Sequence, residues 1–199
     1  MAHFSGLRLP FLFLLCFGLA ACRSEGERPN YPELTWTHLP PITLDVAEIE
    51  IIDNTAPSKA SPHVEQLFPV PPSHAAQRWA RDRLRAGGLA NRARFIIQRA
   101  DVIETSLPKT GGLAGIFTSD QADRYDAVLT VLLEIRSDTS GLLGQVTTEV
   151  RKSRTVAEDV SFNARDTAWF EMTDDLMKLF NGEMERNMPL YLGRWMQAK

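Results

Sequence analysis

Residues 124–136 (RYDAVLTVLLEIR) alternate with a period of two. Tyr125, Ala127, Leu129, Val131, Leu133 and Ile135 share one parity, while Asp126, Thr130, Glu134 and Arg136 mark the other. Side chains along a strand point alternately to opposite faces, so this run specifies a strand that is apolar on one side and wet on the other. Such a strand needs partners along its edges and a second layer over its apolar face. The partner follows at once. Ser137–Gly141 (SDTSG) is composed of turn residues, and residues 144–155 (GQVTTEVRKSRT) return as an amphipathic, Thr-rich strand, which makes a hairpin.

The rest of the chain supplies the other strands and the covering layer. Residues 94–105 read as a strand. Residues 42–52 (ITLDVAEIEII) read as another whose apolar parity changes from Ile42, Leu44 and Val46 to Ile49 and Ile51, which predicts a bulge near Ala47. A helix is expected over 72–86, capped by Ser73, with Ala75, Ala76, Trp79, Ala80 and Leu84 as its apolar stripe and Gly87-Gly88 at its end. A longer one is expected over 165–187, capped by Asn163, with Trp169, Met172, Leu176, Leu179, Phe180 and Met184 as its stripe; Pro189 kinks or ends it. Residues 53–62 and the glycine-rich 106–120 are loops. The predicted order is β-α-β-β-β-α. It describes an α+β two-layer sandwich, a four-stranded mixed sheet with two helices on one face, formed by residues 42–199 as a single domain. The composition, 44% apolar and 24% charged with 12 Gly and 12 Pro among 199 residues, fits a folded domain and excludes collagen-like and disordered classes. A formal charge of −3 argues against a nucleic-acid binder.

The two cysteines, Cys16 and Cys22, both lie in the first 22 residues, so no disulfide is expected in the body. Residues 1–21 carry one charged side chain, Arg8, then an apolar run from Phe11 to Ala21, which is 11 residues where a membrane span needs about 20. A basic lead, a short apolar run and small residues at its end mark a signal peptide. The closing Leu19-Ala20-Ala21-Cys22 resembles the lipobox of bacterial lipoproteins. That resemblance implies cleavage before Cys22, a diacylglyceryl group on its sulfur, a further acyl chain such as palmitate on its amine, and anchorage of the periplasm-facing protein to a membrane. Several chains, each adding about 0.8 kcal/mol per buried CH₂, anchor stably. Arg23 in place of Asp favours the outer membrane under the sorting rule of enteric bacteria. The mature chain is then 199 − 21 = 178 residues, of which 22–41 form a lipidated tether and extended segment, polar over 23–30 (RSEGERPN) and proline-flanked over 31–41.

Catalytic signatures are weak. Ser106-Leu107-Pro108-Lys109-Thr110-Gly111 contains both S-x-x-K and K-T-G, but penicillin-binding chemistry needs its serine at a helix start and a separate K-T-G strand. Here the two motifs share Lys109, and Pro108 breaks the helix. His38, His63 and His74 are scattered, so no metal site is expected, and no cofactor. Glu171, Asp174 and Asp175 read as solvated helix residues. No enzyme is expected.

Two features suggest contact surfaces. Arg78, Arg81 and Arg85, spaced three and four apart, belong to a local excess of arginine with Arg83, Arg92 and Arg94, suited to an anionic lipid or an acidic partner. Leu113, Ile116 and Phe117 are apolar residues in the 106–120 loop, the kind that contacts a protein or membrane when exposed. The element order on a lipid tether is similar in topology to small envelope-assembly lipoproteins, including auxiliary subunits of ABC-type lipid transporters. The resemblance implies a non-enzymatic adaptor in envelope or outer-membrane lipid and protein assembly, with an envelope complex or anionic lipid as partner. The alternative is a periplasmic ligand- or lipid-binding module with a closed apolar pocket between the 125–135 strand and the Trp169 helix.

Overall fold

The structure is a computed structural model that describes residues 30–56, 58, 60–108 and 122–197. The alternating run forms the centre of its sheet. Strand β1 spans Ile42–Leu44, β2 Glu48–Asp53, β3 Leu84–Ala86, β4 Arg92–Leu107, β5 Ala122–Ser137 and β6 Gly141–Ala157; helix α1 spans Pro72–Arg83 and α2 Phe162–Leu192. The main sheet has the order β2-β4-β5-β6, with β2 parallel to β4 and the other pairs antiparallel. It is the mixed four-stranded sheet expected, with both helices on one face.

That face is the odd parity of β5. Tyr125, Leu129, Val131, Leu133 and Ile135 have no exposed surface; the last four align with Ala100, Ile97, Phe95 and Ala93 of β4, the buried Ala127 aligns with Val102, and Leu133 and Leu129 align with Val146 and Val150 of β6. Across from them lie Trp79 of α1 and Met172, Leu176, Phe180, Met184 and Met188 of α2, all buried. Burying each of these large side chains contributes about 1.5–3 kcal/mol. Trp79, Phe95 and Phe180 pack with ring centroids 5.0–6.2 Å apart, and the Trp79 indole donates to Asn181 Oδ1 at 2.9 Å.

Several local expectations are corrected. The parity change in 42–52 is a change of sheet rather than a bulge. β1 pairs in parallel with β3 as a separate two-stranded sheet, and the chain then crosses to β2. The crossing is tied down by Ala47 N donating to the carbonyls of Ala90 and Asn91. Accordingly α1 stops at Arg83 instead of Ala86, because Leu84 turns extended and its backbone is used by β1. Ser73 does not cap α1; Pro71 holds the cap position and Pro72, with its fixed φ, starts the first turn. In α2 the cap is Ser161, whose hydroxyl accepts from Ala164 N at 3.2 Å, and not Asn163. Pro189 lies inside this helix, which runs on to bury Met188 and Leu192 completely. Leu179 is exposed rather than part of the stripe.

The opposite face of the main sheet is uncovered among the described residues and carries an arginine–carboxylate lattice. Arg92 pairs with Glu48, Arg94 with Glu50 and Glu134, Arg99 with Asp101, Arg124 with Asp126, Arg136 with Glu134 and Arg151 with Glu149. Asp126 also accepts from the Ser153 hydroxyl. That bond and the Arg124 guanidinium hold the Asp126 carboxyl below its ordinary range.

Candidate functional site

At the end of the sheet opposite the β5–β6 turn, the segment between β2 and α1 lies along the free edge of β4. Val64 N donates to the Val102 carbonyl and Glu104 N to that of Pro62. The buried Glu65 carboxylate accepts from Val102 N at 3.2 Å. A 3₁₀ turn over Glu65–Leu67 then turns Phe68 inward, where its ring stacks on Trp169 of α2 at 5.0 Å. Tyr125 meets Trp169 edge-on at 5.5 Å and donates its hydroxyl to Glu104 at 2.7 Å. Burial, reinforced by that hydrogen bond, pushes the Tyr125 hydroxyl far above the usual phenol range, so it stays a donor. Thr173 donates to the Val70 carbonyl at 3.0 Å and fixes the far end of the segment.

The first described residues complete the arrangement. Tyr31 stacks on Phe170 at 4.9 Å, and its hydroxyl lies 3.0 Å from that of Thr167. Between Tyr31, the 66–70 segment and the first turns of α2 lies a half-open groove of about 630 Å³. This is within the usual range of about 300–1,000 Å³ for ligand sites. Its apolar walls are Leu67, Phe68, Pro69, Val70, Phe162 and Trp169; its polar lining is Asn30, Gln66, Arg165 and Asp166. Phe162 is 86% exposed and Leu67 55%, so the rim presents two large apolar side chains to solvent. The nearest carboxylate to Arg165 is that of Asp123 at 3.9 Å, and its Nη2 donates to the Glu158 carbonyl at 3.4 Å. Two buried donors, Trp169 Nε1 and Arg165 Nε, have no partner among the described residues.

The arginines expected to act together are dispersed. Arg78 lies between Glu33 at 3.3 Å and Asp82 at 3.2 Å. Arg81 is exposed and shares with Arg78 a shallow pocket of about 200 Å³ that adjoins the groove at Val70. Arg85 sits on β3, off the helix, and donates to the carbonyls of Arg81 and Leu84. Arg83 is buried, bonded to Glu185 at 2.5 Å and to the Pro40 carbonyl at 2.6 Å. Arg92 and Arg94 belong to the lattice on the other face of the sheet. Ser106 lies at the end of β4, donating to Asp123 at 2.9 Å, and not at a helix start. Glu171 and Asp175 are engaged with the sheet, by Arg154 at 2.5 Å and Lys152 at 2.9 Å.

Cys22, Leu113, Ile116 and Phe117 lie outside the described residues. The strand ends that flank the last three, Leu107 and Ala122, pair with each other at the groove end of the sheet. The ligand-binding alternative expects a closed pocket between the 125–135 strand and the Trp169 helix; the inner face of that strand is buried in the core, and the cavity of about 630 Å³ beside Trp169 is half-open to solvent. The groove residues were missed because they come from three distant segments, 30–31, 66–70 and 162–169. One signal was available in Phe162, a large apolar residue directly after the capping serine and seven residues before Trp169, which carries the apolar stripe back to the helix start.

No helix among the described residues is long and apolar enough to cross a membrane, and no three of their His, Cys, Asp or Glu side chains gather as metal ligands. No protein-family model and no curated protein matches the sequence. Among solved structures, the chain is similar to a minor lipoprotein from Acinetobacter baumannii, at 12% identity over 78% of this chain and 98% of that one, with a TM-score of 0.37.

Proposed function

We propose that this chain is a lipid-anchored envelope protein whose domain acts as a non-enzymatic adaptor in lipid or protein assembly. In this reading residues 1–21 are removed, Cys22 carries the acyl chains, and the domain faces the periplasm from a membrane, the outer one in preference to the inner. The observation that carries it is a coincidence of position. The groove with its exposed Phe162 and Leu67 is built partly from Asn30 and Tyr31, where the tether joins the domain. The contact surface extends from this groove across Val70 to Arg78 and Arg81 on α1, with Arg85 beside them. Leu113, Ile116 and Phe117, between Leu107 and Ala122 in sequence, are assigned to the same contact surface in this reading.

The test has two arms. Cys22→Ala is expected to abolish processing to mature size in the membrane fraction; a variant that still appears there at mature size overturns the anchor. Crosslinking in membranes, followed by mass spectrometry of co-purifying proteins and lipids, is expected to give defined partners that charge reversal at Arg81 and Arg85 depletes. Recovery unchanged by that reversal removes the arginines from the surface. A second reading, a module that binds an amphiphile, is favoured by one observation, the pair of unpartnered donors at the groove.

A further inference from the structure

We propose that the groove between Tyr31, residues 66–70 and the start of α2 holds one acyl chain of an anionic amphiphile, with the acid head group at Arg165. The inference rests on the reading of this groove as the contact surface and supplies its ligand class.

Three independent observations converge. The first is wall chemistry. Leu67, Phe68, Pro69, Val70, Phe162 and Trp169 line the groove together with the polar Asn30, Gln66, Arg165 and Asp166. A lining that is part apolar and part polar fits a molecule that is itself divided into chain and head. The sign of the head follows from Arg165, a guanidinium whose nearest carboxylate stands off at 3.9 Å and which therefore retains capacity for a second anion.

The second observation is the state of the donors. Trp169 is 7% exposed and its Nε1 has no acceptor among the described residues; Arg165 Nε has none either. The two residues are four apart on α2 and so lie one above the other on one helix face. Unsatisfied buried N–H groups are rare and cost about 1–3 kcal/mol each. Both are donors, so the partner that suits them is an acceptor, which a carboxylate or phosphate oxygen is and an apolar or cationic ligand is not. They are closed off from water in the free groove. A head group reaches them through a rotamer change at the rim, where Phe162 and Leu67 are largely exposed.

The third is reach. Asn30 is eight positions after Cys22, and fully extended that stretch spans at most about 29 Å. A chain anchored at Cys22 holds its groove, which contains Asn30, within that distance of a supply of acyl chains. Exposed apolar residues at the rim are where a chain leaving the bilayer first makes contact.

Membranes containing the wild-type chain are incubated with a diazirine-bearing palmitic acid or with its uncharged primary amide, irradiated, and the labelled peptides are mapped. The acid is expected to label peptides containing residues 66–70 and 162–169. Arg165→Gln is expected to lower that labelling at least about tenfold for the acid, the loss of a charge-assisted hydrogen bond, and to leave the amide unaffected. Phe162→Asp and Leu67→Asp, at exposed rim positions that the fold does not need, are expected to reduce both probes. Label spread elsewhere on the chain, or equal labelling by acid and amide in wild type and Arg165→Gln, overturns the proposal. Each variant is checked by its circular dichroism, so that a misfolded protein is not scored. Sedimentation of the same samples tests the anchor separately. A wild-type chain found in the soluble fraction yet labelled at the groove by the acid supports the ligand class and overturns the tether.

Discussion

At the scale of single residues, the outer sheet face shows how a charged surface is held in place by its own ion pairs. Its six arginines, Arg92, Arg94, Arg99, Arg124, Arg136 and Arg151, pair with six carboxylates, Glu48, Glu50, Asp101, Asp126, Glu134 and Glu149, with Arg94 touching two and Glu134 shared by Arg94 and Arg136. The face is neutral in sum, and exposed pairs of this kind contribute little individually. Asp126, like Glu149 with Thr130, has an added hydroxyl donor, Ser153, and that bond is the largest cause of its lowered pKa. A carboxylate with a depressed folded-state pKa adds stability that is present above its ordinary value of 3.8 and lost as pH falls through the lowered one. Ser153→Ala is therefore expected to move the Asp126 titration up toward 3.8. The variant should be less stable than wild type near neutral pH, with the gap closing as pH falls through the lowered value. Carboxyl carbon shifts followed by NMR, with thermal melts across that pH range, check this. An Asp126 titration unmoved by the substitution assigns the shift to Arg124 alone.

At the scale of elements, periodicity made most of the fold legible, and capping and strand exchange were where it ran out. The β5 alternation identified the inner face residue by residue because every second side chain there is buried. The same logic could not separate a bulge from a change of sheet in 42–52. Either event shifts parity by one, and only the later Leu84–Ala86, which pair with Ile42–Leu44, decide which occurred. For α2, Ser161 and Asn163 are both good capping residues two positions apart, and local sequence does not rank them. The structure does, by placing the Ser161 hydroxyl on Ala164 N. Ser161→Ala is thus expected to lower stability by about 1 kcal/mol, whereas Asn163→Ala, at a position inside the helix whose contact to Tyr31 uses only its backbone carbonyl, should stay within about 0.5 kcal/mol. Denaturant unfolding of the two variants distinguishes them, and equal losses return the cap to Asn163. The groove was illegible at this scale for a different reason: three short segments far apart in sequence supply it, and none has a repeat or motif of its own.

At the scale of the whole molecule, the elements are polarised along the strands. The β5–β6 turn at Ser137–Gly141, where Gly141 takes a φ of +79° that favours glycine, stands at one end, and near it Trp195 packs over Gly144. The groove, the rim residues Phe162 and Leu67, and the chain's entry at Asn30 stand at the other. The strands between them are 16 and 17 residues long, about 50 Å at roughly 3.3 Å per residue. In the proposed anchored form, a tether of at most about 29 Å from Cys22 to Asn30 is shorter than that, so it holds the groove end, where the chain enters, nearer the membrane than the turn end unless the domain lies flat. Lying flat on the lattice face is not favoured, because its paired charges offer an anionic surface no net attraction and would be desolvated in the contact. The domain is therefore expected to stand with its groove end toward the bilayer. Single dyes placed at Leu67 and at Thr139 in the membrane-anchored chain, with a quencher on the lipid head groups, report this directly: strong quenching at Leu67 and several-fold weaker quenching at Thr139. Equal quenching at the two sites shows a domain lying along the surface. Stronger quenching at Thr139 shows the opposite end engaged; either result overturns the upright orientation, and the second also removes the membrane from the groove's reach.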